Sequence, residues 1–149
     1  MAQTTGGISF VNCKVEFSTN GSSWTDVSGF ASTVDVGGGV RATGEAYTFD
    51  GSFAIVRRGK AEPFEITVES IYTEGAGEAY ALAKAAFENG TDLYIRWSPK
   101  GGTTGNKMFT SSVGIVTDPP YPKGDADSGD PVLFVTKIKC TQITESTVA

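Results

Sequence analysis

Histidine is absent from this chain of 149 residues, and with it go the commonest general base and the commonest metal ligand of proteins. Hydrolysis by a serine triad or a zinc site is thereby nearly excluded. Cysteine is scarce, Cys13 and Cys140 being the only two, and their wide separation fits no metal or redox spacing. They read as reduced, part-buried thiols, with a single bridge between terminal strands as the other reading. No apolar run approaches the roughly 20 residues of a membrane-spanning helix. The opening MAQTTGGISF has neither a basic nor an apolar stretch, so no secretory signal is expected, and the Asn20-Gly21-Ser22 and Asn89-Gly90-Thr91 patterns carry no expectation of glycosylation. Positive charge is also in deficit: 12 Lys plus Arg face 17 Asp plus Glu, a net charge of −5. Such a chain should repel nucleic acid rather than grip it.

What is present is strand and turn. The length suits a single domain, residues 1–149, which buries roughly 68–70% of its unfolded surface. In FEITVESIY, Phe64, Ile66 and Val68 fall on one side of an extended chain and Glu65, Thr67 and Glu69 on the other, as period-two alternation dictates. Strands are expected over Phe10 to Phe17 and Trp24 to Val27, joined by an Asn20-Gly21 turn, and over Ala31 to Val36. Further strands are expected over Tyr47 to Val56, Phe64 to Tyr72, Asp92 to Trp97, Lys107 to Val116 and Val132 to Thr144. The glycine-rich stretch after Val36, about 36–44, reads as a long flexible loop.

One segment breaks the pattern. In GAGEAYALAKAAFENG, Ala79, Leu82, Ala83, Ala86 and Phe87 recur at helical spacing, acids are expected in the first turn and Asn89-Gly90 closes it, predicting a helix over about 77–88. Its narrow stripe of small residues should lie close against a sheet. The sum is a mainly β chain of two packed sheets with one flanking helix.

Catalytic and ligand motifs fail one by one. Gly39 to Gly44 has phosphate-loop spacing, but Glu45 stands where lysine is required. Asp125, Asp127 and Asp130 resemble a calcium loop until its sixth and twelfth positions prove to be Asp130 and Thr136, and turn chemistry explains them better. Glu65, Glu69 and Glu74 invite a glycosidase reading, yet two acids alternating on one strand are far more often its solvated face. No enzyme, metal site or cofactor is expected. Arg57, Arg58 and Lys60, the basic cluster, read as a solvated turn or as partners for acids on a neighbouring subunit. Leu93, Ile95 and Trp97 share a strand face and read as core.

The segments TFDGSFAIVRRGKAEPFEITVESIYTE, GEAYALAKAAFENGTDLYIRWSPKGGTTGNKMFT and DPPYPKGDADSGDP together resemble the major tail tube proteins of long-tailed (siphovirus-like) bacteriophages. The resemblance rests on the glycine-lysine turn before Glu62-Pro63, the Tyr72-Thr73-Glu74 strand end, Arg96-Trp97-Ser98-Pro99 with its glycine-rich hairpin, and the Pro120-to-Asp125 loop. It covers about Thr48 to Thr144, and before Thr48 it rests on element order. The family implies two roughly orthogonal antiparallel sheets, a β-sandwich or barrel-like body with one flanking α-helix. It implies six copies in a ring, rings stacked into a hollow virion tube that conducts DNA without specific binding, and assembly in the bacterial host cytoplasm without a membrane. Implied partners are a tape measure protein, a tail tip or initiator, and a tail terminator.

By that family pattern the inner sheet would comprise Ala31 to Val36, Thr43 to Phe49, Leu93 to Trp97 and Met108 to Val116, with Phe64 to Tyr72 on the outer sheet. Lumen candidates are then Asp35, Glu45, Thr110 and Ser112. Gly37, Gly38, Gly39, Val40, Arg41, Ala42 and Thr43 form the candidate ring-to-ring loop, with Gly101 to Asn106 a second candidate and a C-terminal arm at about 144–149. Two rival readings remain: a tube of a contractile tail or type VI-like secretion machine, and a monomeric carbohydrate-binding sandwich stacking sugars on Trp24, Tyr94 and Trp97.

Overall fold

The structure, a computed structural model, describes residues 2–149. In chain order its strands are β1 (Lys14–Ser18), β2 (Thr25–Asp26), β3 (Ala31–Gly38), β4 (Arg41–Ala46), β5 (Ile55–Ala61) and β6 (Phe64–Ile71). After helix α1 (Ala79–Asn89) come β7 (Asp92–Ser98), β8 (Lys107–Ser111), β9 (Gly114–Val116), β10 (Leu133–Cys140) and β11 (Ile143–Thr147). Every pairing among them is antiparallel.

Two sheets share β7. One runs β2-β1-β7-β8-β11; the other runs β9-β10-β6-β3, with β9 also paired to Asp92 and Leu93 at the start of β7. The strand expected over Lys107 to Val116 is bent at Ser112-Val113 into β8 and β9, which is how it serves both sheets. Ser112 holds that corner: its hydroxyl accepts from the backbone N–H of Thr141 and Gln142 at 3.2 and 3.1 Å. Val132 to Thr144 is likewise two strands, β10 and β11, one in each sheet.

The interior is built where the two sheets and the helix meet. Phe17, Ile66, Val68, Leu93, Ile95 and Phe134 are buried, and Trp97 stacks on Phe109 with ring centroids 5.7 Å apart. The expected sidedness of Phe64 to Glu69 holds, with Ile66 and Val68 inside and Glu65, Thr67 and Glu69 on the other face. In α1 the inward stripe is Ala79, Ala83 and Ala86, small enough for close approach to the sheet, while Tyr80 meets Tyr72 and Phe134 edge-on at 4.8 and 5.3 Å. The helix starts at Ala79 rather than Gly77, because Glu78 is an extended N-cap residue. Its carboxylate accepts a hydrogen bond from the Thr73 hydroxyl instead of entering the first turn. Gly90, at φ 64°, closes the helix in the left-handed region.

Three local expectations change. Phe10–Asn12 forms a 3-10 turn in front of β1 rather than part of the strand, leaving Phe10 and Val11 exposed. Tyr47 to Ala54 contains no strand; regular structure resumes only at Ile55. Most consequentially, β3 lies beside β6, with Val34 opposite Val68 and Asp35 opposite Thr67. The assignment of Ala31 to Val36 and Phe64 to Tyr72 to different sheets is therefore corrected. Alternation fixes which side chains point inward, but it does not name the neighbouring strand.

Candidate assembly surfaces

Between β3 and β6 the chain leaves the body and returns. β4 and β5 form a separate two-stranded hairpin, with Thr43 opposite Arg58 and Glu45 opposite Val56, and every residue of both strands is exposed. The joint is made by Gly38 and Gly39, both at φ 71°, a conformation glycine adopts at little steric cost. Opposite them, the Gly39 N–H donates to the Pro63 carbonyl at 3.0 Å and the Glu62 N–H donates to the Val40 carbonyl at 2.9 Å. A Cβ on Gly38 would collide with the Pro63 carbonyl, and one on Gly39 with the Phe64 ring. A long hairpin thus crosses from body to arm through a hinge that only glycine fits.

The segment expected as a flexible loop is therefore largely strand. Gly37 and Gly38 end β3, Gly39 and Val40 lie between the two strands, and Arg41, Ala42 and Thr43 begin β4. Arg57, Arg58 and Lys60, expected in a turn, lie in β5. Cross-strand hydrogen bonding, which local composition does not report, holds both segments extended. No carboxylate of the described residues lies within ion-pair distance of these three cations.

The arm carries an apolar tip that the sequence reading missed by assigning it to a strand. Tyr47 is 78% exposed and Phe53 89%, Phe49 is fully exposed, and Ile55 and Val56 continue the apolar surface into β5. Asp50-Gly51-Ser52 was the available signal for a turn there. Exposed aromatics grouped on a projecting element are the usual mark of a surface made to be covered.

The four lumen candidates lie on three separate surfaces. Asp35 is exposed on β3, on the face shared with Thr67 and Glu69. Glu45 belongs to the arm. Thr110, half-buried on β8 opposite Arg96, and Ser112 at the corner belong to the other sheet. Gly101 to Asn106 and the C-terminus are tied together: Gly105 donates to the Val148 carbonyl at 3.0 Å and Val148 to the Asn106 carbonyl at 2.8 Å. The expected C-terminal arm is largely β11, paired along its length with β8.

A groove of about 610 Å³ opens where the 118–131 loop overlies β6 and β10. Its floor includes Leu133 and Val135, and Glu69, Asp118, Asp125 and Asp130 also line it. Local turn bonds shape the loop, Asp127 N–H to the Asp125 carboxylate at 3.4 Å and Asp130 N–H to the Ser128 hydroxyl at 3.0 Å, in agreement with the turn reading of these aspartates.

The carbohydrate platform does not form. Trp97 is buried in the core, Trp24 is covered by the Arg96 guanidinium at 4.2 Å, and Tyr94 projects from the sheet face opposite to that of Trp97, beside Gly21. Trp97, turned into the core, therefore cannot join the other two rings in a surface platform.

No family model matches the sequence, and no curated protein matches it either. Solved structures do match in fold. The chain superposes on a chain of the sheath-tube complex of an extracellular contractile injection system, PVC, in its extended state, with a TM-score of 0.66 at 16% identity, covering 97% of this chain and 94% of that one. A chain from the tail of an empty GTA particle with C6 symmetry gives 0.64 at 9% identity, covering 99% and 100%. The SPP1 tail tube gives 0.67 at 10% identity, covering 95% and 80%. Across nearly its whole length, this chain has the fold found in those tubes and tails.

Proposed function

We propose that this chain is a tube-building subunit, six copies of which close into a ring and stack into the hollow tube of a phage tail or a related injection machine. The observation that carries the reading is the arm: an apolar-tipped hairpin projects uncovered from a body whose fold, end to end, is that of subunits in sheath-tube and tail structures. A monomer has no use for such a tip, whereas a repeated assembly covers it with the next copy. Closing the sheets through neighbours would also remove open edges such as that of β3.

Charge supports a conduit. Six copies at −5 each give −30 per ring, which would keep a nucleic acid in the bore mobile rather than bound. Asp35, Glu45, Thr110 and Ser112 are the proposed bore positions. A virion tail assembled in the host cytoplasm, with tape measure, initiator and terminator proteins as partners, is the fuller form of the proposal. The likeness to a contractile sheath-tube complex and to the SPP1 tail tube at similar TM-scores makes a contractile machine an equal version of it. Among the described residues no helix is long and apolar enough to cross a membrane.

Negative-stain microscopy of the concentrated protein is the test. Rings or hollow rods are expected; a strictly monomeric particle under all assembly conditions, including with a tail initiator, overturns the reading.

A further inference from the structure

The arm and the groove are complementary in two independent respects. β5 presents Arg57, Arg58 and Lys60 with no acid among its residues, and none of the three has an intramolecular ion pair among the described residues. The groove sets four carboxylates, Glu69, Asp118, Asp125 and Asp130, against two ammonium groups, Lys123 and Lys137. Among the described residues, only Asp118 of these carboxylates is in an ion pair, with Lys137 at 3.5 Å. The apolar lining includes Pro119 of the overlying loop with Leu133 and Val135 of β10, and the arm ends in Tyr47, Phe49 and Phe53, all largely exposed. Arg57 and Arg58, adjacent on β5, project from opposite faces of the two-stranded arm, so a groove that received the arm would meet a cation on either side of it.

We propose that the groove under the 118–131 loop is the receptor for the arm of a second copy of this chain, receiving both faces of the arm so that its carboxylates lie against Arg57 and Arg58 and its apolar lining against the aromatic tip. The proposal rests on the tube reading and adds to it the seat of the arm. Because the donor and acceptor surfaces differ, the contact is heterologous, and heterologous contacts repeat from copy to copy instead of stopping at a dimer. Opposite charges across it fix register and accelerate encounter more than they add affinity.

Charge reversal tests it. Arg57→Glu with Arg58→Glu, or Asp125→Lys with Asp130→Lys, should each leave a folded monomer and raise the concentration needed for assembly at least about tenfold, since like charges then meet at the contact. Combining the four reversals in one chain should restore assembly. Failure of restoration, with each variant folded by circular dichroism, overturns the pairing. Tubes that form normally in every variant overturn the docking while the tube reading stands, and a wild-type chain that never associates overturns both. A second measurement is direct: Arg58→Cys and Asp125→Cys proteins, mixed under oxidising conditions, should give a disulfide-linked heterodimer. Linkage only between identical variants counts against the proposal.

Discussion

Glu16 and Arg96 stand directly opposite each other on β1 and β7, and the carboxylate of Glu16 accepts from Nε and Nη2 of Arg96 at 3.0 Å each. Glu16 is nearly buried, Arg96 lies over the Trp24 ring at 4.2 Å, and Lys14 reaches the same carboxylate at 3.8 Å. A bidentate pair in partial burial is a strong contact, and removing one partner leaves the other charge incompletely compensated. Glu16→Ala should therefore cost about 1–3 kcal/mol in urea unfolding, while Lys14→Ala should change little. Equal effects of the two would show that the guanidinium fork contributes nothing special.

The hinge makes a sharper demand on backbone. Gly39→Ala places a Cβ in the left-handed region and against the Phe64 ring, so a loss of about 1–2 kcal/mol or more is expected. Gly44→Ala on the same arm meets nothing within 4 Å and has no positive φ; it should be close to neutral. Thermal unfolding of the two variants side by side checks this.

At the tip, Phe49→Ser with Phe53→Ser removes apolar surface that is already in water. Monomer stability should stay within about 0.5 kcal/mol of wild type, and assembly seen by microscopy should be lost. A double variant that still builds full-length tubes would deny the tip any role in the contact.

Acid sensitivity has an identifiable contributor in Asp26. Burial alone would raise its carboxyl, but hydrogen bonds from the Ser28 hydroxyl and backbone N–H, aided by the Lys14 ammonium, hold it below the ordinary value. A carboxyl depressed on folding stabilises the native state above its unfolded pKa, and that contribution is lost as pH falls through the folded one. Stability should decline below about pH 4, and Asp26→Asn should flatten that part of the curve. An unchanged slope in the variant rules the contribution out.

The proposed bore positions can be sorted by access. Asp35→Cys should react with a maleimide on a bulky polymer in the free subunit and be protected in assembled tubes. Burial pushes the native Cys13 and Cys140 thiols up in pKa, so they should add little background. Lys84→Cys, on the exposed side of α1, is the comparison thiol for reactivity in the free subunit. Full reactivity of Asp35→Cys in tubes would move that position to the outside wall.

Much of the body was legible in short stretches. The alternation of Phe64 to Glu69 determined which side of β6 is buried, and the Ala79, Ala83 and Ala86 spacing determined a helix that packs closely, because both are periodicities carried within a few residues. Tertiary structure alone decided that β3 neighbours β6, that one strand bends at Ser112 to serve two sheets, and that Gly37 to Thr43 and Arg57 to Lys60 are strands of an arm. Those outcomes depend on hydrogen bonds to residues distant in sequence, such as Gly39 to Pro63, and on the left-handed backbone of Gly38 and Gly39. A glycine-rich stretch reads as a loop until the partner that holds it extended is known. The groove, too, exists only where a proline- and aspartate-rich loop comes to rest over β6 and β10, a meeting of segments far apart in the chain whose sequences separately describe only a turn and a sheet face.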